Sequence, residues 1–558
     1  METQSPKGIP WLKFLACGAA IAGLAICLHF MDGQGNDEVG VMQGNDLHIA
    51  GEVSLTKDLN VQEGATLFIE SGSRLLIGDG VRILVDGKII ARGTPEDPII
   101  FEGAGEGVYW RGIEIKGLDE DPDTGAYWDW IEKGGQDRED LFFRKIEGGN
   151  VFEHCIFRNA ATKSRAFARN NKWKGTIEAY STVLRVSHCT FQDILHFGGV
   201  LTQKSFVVVN GCVFDDDTLH KAINSTNLAV GVFCDNRISG HRKENQRCAD
   251  GVWTKKGFVG LVAGNHIDTV ADDGVDMDDS RVVVYNNEIM GNWDDGIDVD
   301  NGGLCYAIKN TITGVAENGI LVSDESEAVV VGNGIEACTN GLALRDGATV
   351  VANENQILRN GRGVILFQNI PVALTSSDFE SVKRQIKGFT PSQIDEMEYI
   401  DGITSPDQLI EVLDHFYTLE DGFWRFAEVD FQQVSEFDSL KKIFKLVDVL
   451  ALEYVPEESV AGHALRESLK NGIYITGSTV KDNGEDIAAF HGYRLKMDEA
   501  EMEFTDDDSR ALAIKQCQCE EGYSCDLIEK LNTAGVEVNA RRIAKRVEEQ
   551  YGAAVHTQ

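Results

Sequence analysis

Apolar residues come in short runs, two or three to a stretch of about 22 residues, and each run is broken by Gly, Asn or Asp. Ala249-Asp250-Gly251-Val252-Trp253-Thr254 recurs as Asp272-Asp273-Gly274-Val275-Asp276-Met277 and as Asp294-Asp295-Gly296-Ile297-Asp298-Val299. The frame continues through Asn318-Gly319-Ile320, Asn340-Gly341-Leu342 and Arg362-Gly363-Val364. A second register keeps the same step: Asn265-His266-Ile267, Asn287-Glu288-Ile289, Asn310-Thr311-Ile312, Asn333-Gly334-Ile335 and Asn355-Gln356-Ile357. A fixed period of this size predicts stacked units, none of which buries its apolar face alone. The runs are too short for helices, so each unit reads as three strands. The fold class is an all-β solenoid, a single-stranded parallel β-helix over 47–375.

The pattern outside those coils sets the domain boundaries. From Leu47 the chain alternates in shorter steps, as in Ala65-Thr66-Leu67-Phe68-Ile69 and Val81-Arg82-Ile83-Leu84-Val85. Residues 117–150, Asp-rich with Trp128 and Trp130, lose the beat and read as an excursion from the stack. Cys155, Cys189 and Cys212 then fill the slot that Asn236, Asn265 and Asn287 fill later, so Cys and Asn form one internal ladder of structural, buried residues. At Ser376 the period stops. Thr390-Pro391 and Ser405-Pro406 place a cap before a first-turn proline, and Leu440, Ile443, Phe444, Val447 and Leu450 recur at helical spacing, which predicts a helical insertion over 376–470. The β pattern returns over 471–508, and 509–558 reads as a helical tail. Its Cys517, Cys519 and Cys525 lack an evident fourth metal ligand, so a disulfide or a structural role is expected. At the other end, Lys7 and Lys13 precede an apolar run from Phe14 to Phe30 with no clear cleavage site, so 1–31 is expected to be an uncleaved signal anchor and 32–46 a linker. The bulk of the chain is then membrane-anchored and extracytoplasmic, periplasmic or at the cell surface.

The net charge of -38 over 558 residues argues against nucleic acid and against electrostatic docking on anionic lipid. An acidic substrate would need a cation between it and the protein. Side chains alternate across a strand, so the residues between the inward Val252, Val275 and Ile297 and the inward Thr254, Met277 and Val299 face outward. One outward column runs Glu178, Leu201, Asn224, Trp253, Asp276, Asp298, Leu321 and Ala343. The other runs Tyr180, Gln203, Thr226, Lys255, Asp278, Asp300, Ser323 and Arg345. Asp276, Asp278, Asp298 and Asp300 thus form a square on one sheet. Carboxylates about 4.8 Å apart repel, which favours either a retained proton or a hard oxygen-bound cation such as Ca2+. Asp273, Asp295, Asp279 and Asn301 stand at the strand ends and could complete its shell.

The alternating coils, followed by Gly93-Thr94-Pro95-Glu96-Asp97-Pro98-Ile99 and Trp110-Arg111-Gly112-Ile113, resemble the opening of right-handed β-helix proteins of the pectate-lyase-like superfamily. The resemblance covers 50–370 at the level of fold. It implies a right-handed coil and is similar to calcium-dependent polysaccharide lyases: metal at Asp276, Asp278, Asp298 and Asp300, Lys255 as base, and Trp253 and Arg345 against a uronate-containing polymer. Asp276 and Asp298 join Lys255 as candidate catalytic residues, since carboxylate spacings on this face also suit an inverting glycoside hydrolase. Polygalacturonase motifs are missing, and Asp276-Met277-Asp278-Asp279 is similar to the Asp-Pro-His-Asp of mannuronan C5-epimerases without its His. The non-enzymatic expectation is an anchored surface solenoid that binds Ca2+ for rigidity, or a protein partner through 376–470.

Overall fold

The computed structural model describes residues 46–117, 121–161, 175–195, 198–215, 221–240, 250–367, 374–375, 417–420, 423–426, 472–489, 494–497 and 533–552. Three parallel sheets of 14, 13 and 13 strands run the length of the stack, and the chain visits them in rotation, coil after coil. The first sheet begins at Leu47–Ile49, the second at Glu52–Leu55 and the third at Leu59–Val61. In the third sheet Val252, Val275, Ile297, Ile320, Leu342 and Val364 stack in register and are buried, as their repeat spacing predicts. The glycine before each of them is required by close approach. A Cβ on Gly296 would lie 2.4 Å from the Gly319 carbonyl oxygen and 2.8 Å from Ile312 Cγ2.

Like stacks on like inside the coil. Phe101, Phe157, Phe191 and Phe214 form a continuous ring stack with centroids 4.9, 4.9 and 4.6 Å apart. The predicted polar ladder is present too. Asn236, Asn265, Asn287, Asn310 and Asn333 each give an Nδ2 hydrogen bond to the Oδ1 of the next rung, at 2.8, 2.9, 2.9, 3.0 and 3.0 Å, the last to Asn355. Cys212 enters the same slot below, its backbone N–H donating to Asn236 Oδ1. Cys155, Cys189 and Cys212 are buried free thiols. The corner before each rung is one residue in the left-handed region, such as Asn286 (φ 53°) or Gly264 (φ 67°).

The first sheet is apolar on both faces, which is why its strands read as unbroken runs such as Phe206-Val207-Val208-Val209. Its outer column of Val208, Val232, Leu261, Val283 and Tyr306 lies beneath three helices: α1 (Thr124–Lys133), α2 (Gln136–Gly148) and α3 (Thr533–Tyr551). Within the beatless stretch, Thr124–Gly148 is therefore a helical hairpin. α3, the helix expected in the tail, packs beside it, with Arg542 and Arg546 on the buried Glu139 at 3.0 and 2.9 Å. Gly472–Thr476 pairs directly with Thr349–Asn353, so the chain between Phe367, the end of that coil's third strand, and Gly472 is an insertion between neighbouring coils. The described residues within it are the strands Tyr417–Glu420 and Phe423–Phe426, which pair antiparallel with each other, and the second also pairs with Leu374–Thr375. The rest of the expected helical insertion, the signal anchor and linker, and Cys517, Cys519 and Cys525 lie outside the described residues. Among the described residues no helix is long and apolar enough to cross a membrane.

Candidate functional site

The two outward columns of the third sheet stand where the repeat spacing places them: Trp253 pairs with Asp276 and Asp276 with Asp298, while Lys255 pairs with Asp278 and Asp278 with Asp300. Their exposure is not uniform. Below the site Leu201 and Asn224 are each 4% exposed, and above it Leu321 is 4% exposed and Ala343 fully buried. Between them Trp253, Asp276 and Asp298 are half-buried, as are Lys255, Asp278 and Asp300 beside them. Along the first column the cover of this face thus lifts for a window three coils high, while in the second Tyr180, Gln203 and Arg345 are half-buried as well. Two side-chain oxygens on this face are buried without a hydrogen-bond partner, Asn224 Oδ1 and Asp298 Oδ1.

The four aspartates of the square play separate parts. Asp278 is taken by an ion pair with Lys255. Asp300 accepts from the backbone N–H and Nδ2 of Asn301, at 2.6 and 2.9 Å, and from Ser323 Oγ at 3.2 Å. Asp279 and Asn301 themselves form the left-handed corners after the strands. Asp276 and Asp298 remain as a stacked pair, and burial pushes both carboxyls well above the usual carboxylate range. Asp250 adds to the shift at Asp276, and Asp295 and Asp276 add to it at Asp298. Burial also draws the Lys255 ammonium down against the attraction of Asp276. Arg345 lies two coils beyond Asp300 in its column, with Nε 3.9 Å from Asp346, and its charge reaches Asp298.

One slot earlier in the coil, and unread from the repeat, a second polar ladder passes behind the window: Lys221, Asp250, Asp273, Asp295, Asn318 and Asn340. Lys221 makes an ion pair with Asp250. The Asp295 N–H donates to Asp273 Oδ1 at 2.9 Å, Asn318 gives both its backbone N–H and its Nδ2 to Asp295 Oδ1 at 2.8 Å, and Asn340 Nδ2 donates to Asn318 Oδ1 at 2.8 Å. Burial raises the Asp273 carboxyl well above its ordinary value, with Asp272 and Asp295 adding, and raises Asp295 to about 7. Lys221 was legible in principle: it stands two residues before the inward Ile223, as Asp250 does before Val252.

A family model described as a right-handed β-helix region matches residues 233–379. Over that span the three parallel sheets, visited in rotation, agree with a right-handed β-helix. No curated protein matches the chain. Solved structures of similar fold include the periplasmic alginate epimerase AlgG (12% identity, 82% of this chain and 79% of that one, TM-score 0.31). Others are the A-module of the mannuronan C-5 epimerase AlgE6 of Azotobacter vinelandii (14%, 54% and 71%, 0.25) and a hyperthermoactive exopolygalacturonase from Thermotoga maritima (14%, 56% and 82%, 0.24).

Two groups of carboxylates have the spacing that could hold a metal ion, at a different place from the square. Oxygens of Asp250, Asp272 and Asp273 converge within 4.8 Å of one another, and so do those of Asp273, Asp294 and Asp295. Among the described residues these are the converging sets, and the square of Asp276, Asp278, Asp298 and Asp300 is not one of them. Carboxylates alone, shared through Asp273, suit Ca2+ better than an octahedral Mg2+.

Proposed function

We propose that the window cleaves a uronate-containing polysaccharide by β-elimination. The observation that carries this reading is the interruption of burial: the cover along one outward column lifts for three coils, and the opening holds an aromatic ring, a lysine and carboxyls, with two unsatisfied oxygens, Asp298 Oδ1 and the amide Asn224 Oδ1, at its rim. Buried acceptors without partners are uncommon, and a hydroxyl-rich polymer supplies the missing donors. Trp253 offers a flat apolar surface for a sugar ring. Lys255, whose proton burial makes easier to lose, takes the proton beside the uronate carboxylate onto its neutral amine. The electron pair left behind forms the new double bond, the glycosidic C–O bond breaks, and the leaving oxygen collects a proton from Asp276 or Asp298, the carboxyls whose hold on a proton burial strengthens. Ca2+ held about Asp273 would neutralise the substrate carboxylate and acidify the adjacent proton.

A second reading rests on that same stacked pair. A protonated carboxyl beside an ionised one is the acid–base set of a glycoside hydrolase, and the upward shift of Asp276 and Asp298 favours it. A panel of uronate polymers separates the two. Elimination gives an unsaturated product with new ultraviolet absorbance, lost in Lys255→Ala at unchanged melting temperature. New reducing ends without absorbance would overturn elimination and leave hydrolysis, and neither product from any polymer would leave a non-catalytic surface solenoid. The acidic chain behind the apolar run 14–30 suits an extracytoplasmic, membrane-tethered enzyme, which fractionation of the native host checks.

A further inference from the structure

We infer that Lys221 is the positioning residue of this window: locked in a buried ion pair with Asp250, its ammonium fixes the Trp253 ring as the platform for a sugar. The role in sugar binding rests on the reading of the window as a saccharide site; the clamp on the indole does not. Lys221 is only 8% exposed, and lysine is almost never buried unless paired. Its partner Asp250 is 1% exposed. Its Nζ stands 3.7 Å from the centroid of the Trp253 ring, well inside cation–π range, whereas Lys255 Nζ is 5.3 Å away. The root of the side chain is fixed by the stack as well, since the Lys221 carbonyl accepts from the Gly199 N–H at 2.9 Å.

Two constraints therefore meet at one ammonium. The ion pair fixes where the charge sits, and the charge fixes which way the half-buried indole lies. Trp253 is a wide ring flanked in its column by Asn224 and Asp276, so nothing of comparable size holds it from above or below. A platform ordered before the substrate arrives loses less freedom on binding, so its contribution appears in affinity rather than in turnover. Lys221 also places a positive charge near Asp276, opposing the carboxylates around that residue.

The signal of Trp253 is isolated by subtracting Trp253→Phe from the parent protein. In Lys221→Met, acrylamide quenching of that component should at least double, and Lys221→Arg should restore it because the cation is kept. On the polymer, KM should rise about tenfold, equivalent to about 1.4 kcal/mol, with kcat within about twofold. Unchanged quenching in a folded Lys221→Met would overturn the clamp, as would a loss of kcat at constant KM. Should Lys221→Met not fold, Asp250→Asn tests the same link, and an unaltered Trp253 signal there overturns it. Altered quenching in a protein that degrades no polymer would refute the proposed reaction and leave the Lys221–Trp253 clamp standing.

Discussion

Two polar ladders climb the same solenoid, and they behave oppositely. In the one from Asn236 to Asn355 every side chain carries both an acceptor and donors, so each rung gives its Nδ2 to the next, and Asn355 passes the series on to Ser478 Oγ. In the one through Asp250, Asp273 and Asp295 the ionised rungs have no side-chain donor. Asp273 and Asp295 are bridged by a backbone N–H, and the series is finished only by Lys221 at one end and Asn318 at the other. The neutral ladder is structural and needs nothing. The acidic one is incomplete without protons or a cation, and the open window stands directly in front of it. The contrast puts the proposed site where the stack is least self-sufficient.

The largest effect should come from making the neutral ladder resemble the acidic one. Asn287→Asp removes the donors that reach Asn310 Oδ1 and the Val262 carbonyl and puts a titratable group in the core. It should lose about 3–5 kcal/mol in denaturant unfolding, more as pH rises. The reverse exchange, Asp295→Asn, should stabilise. Asp295 titrates near 7 in the fold against an ordinary 3.8, so its contribution is fully present below about pH 4 and is lost as pH rises through 7. The parent should therefore melt lower at pH 8 than at pH 5, and the variant should flatten that slope and gain about 2–4 kcal/mol at pH 8. Next, Ca2+ at pH 8 should raise the melting temperature and a chelator lower it, by about 2.7 kcal/mol at a hundredfold excess over Kd. Asp273→Asn should abolish that response, and a response that survives would move the cation elsewhere. The smallest effect belongs to the surface: His266→Ala breaks the 2.9 Å contact with Glu288 and should cost less than about 1 kcal/mol.

The fold and the two outward columns could be read from the repeat because a period-2 strand inside a fixed coil leaves no freedom in which residue faces out. Trp253, Asp276 and Asp298 fall where counting puts them. Which of those groups pair is a matter of side-chain conformation, and no period encodes it: Lys255 closes on Asp278, and the converging oxygens belong to Asp250, Asp272, Asp273, Asp294 and Asp295 instead of the square. The lid over the first sheet was hidden for another reason. α1 and α2 lie outside the repeat, and only the Val-rich strands, apolar at successive positions, hinted that both faces were covered.

α3 runs along the stack, from Glu537 against Lys309 at 2.8 Å to the Tyr551 carbonyl, which meets His188 Nε2 at 2.6 Å and Asn210 Nδ2 at 3.3 Å. Its 19 residues span about 28 Å, and the five coil steps between those anchors span about 24 Å. A row of identical modules yields to tension one module at a time, starting from a free end. Here a rod bolted across six modules spreads the load among them, so pulling the molecule apart should show one tall rupture for the bolted section, followed by the small, evenly spaced events of a spring uncoiling.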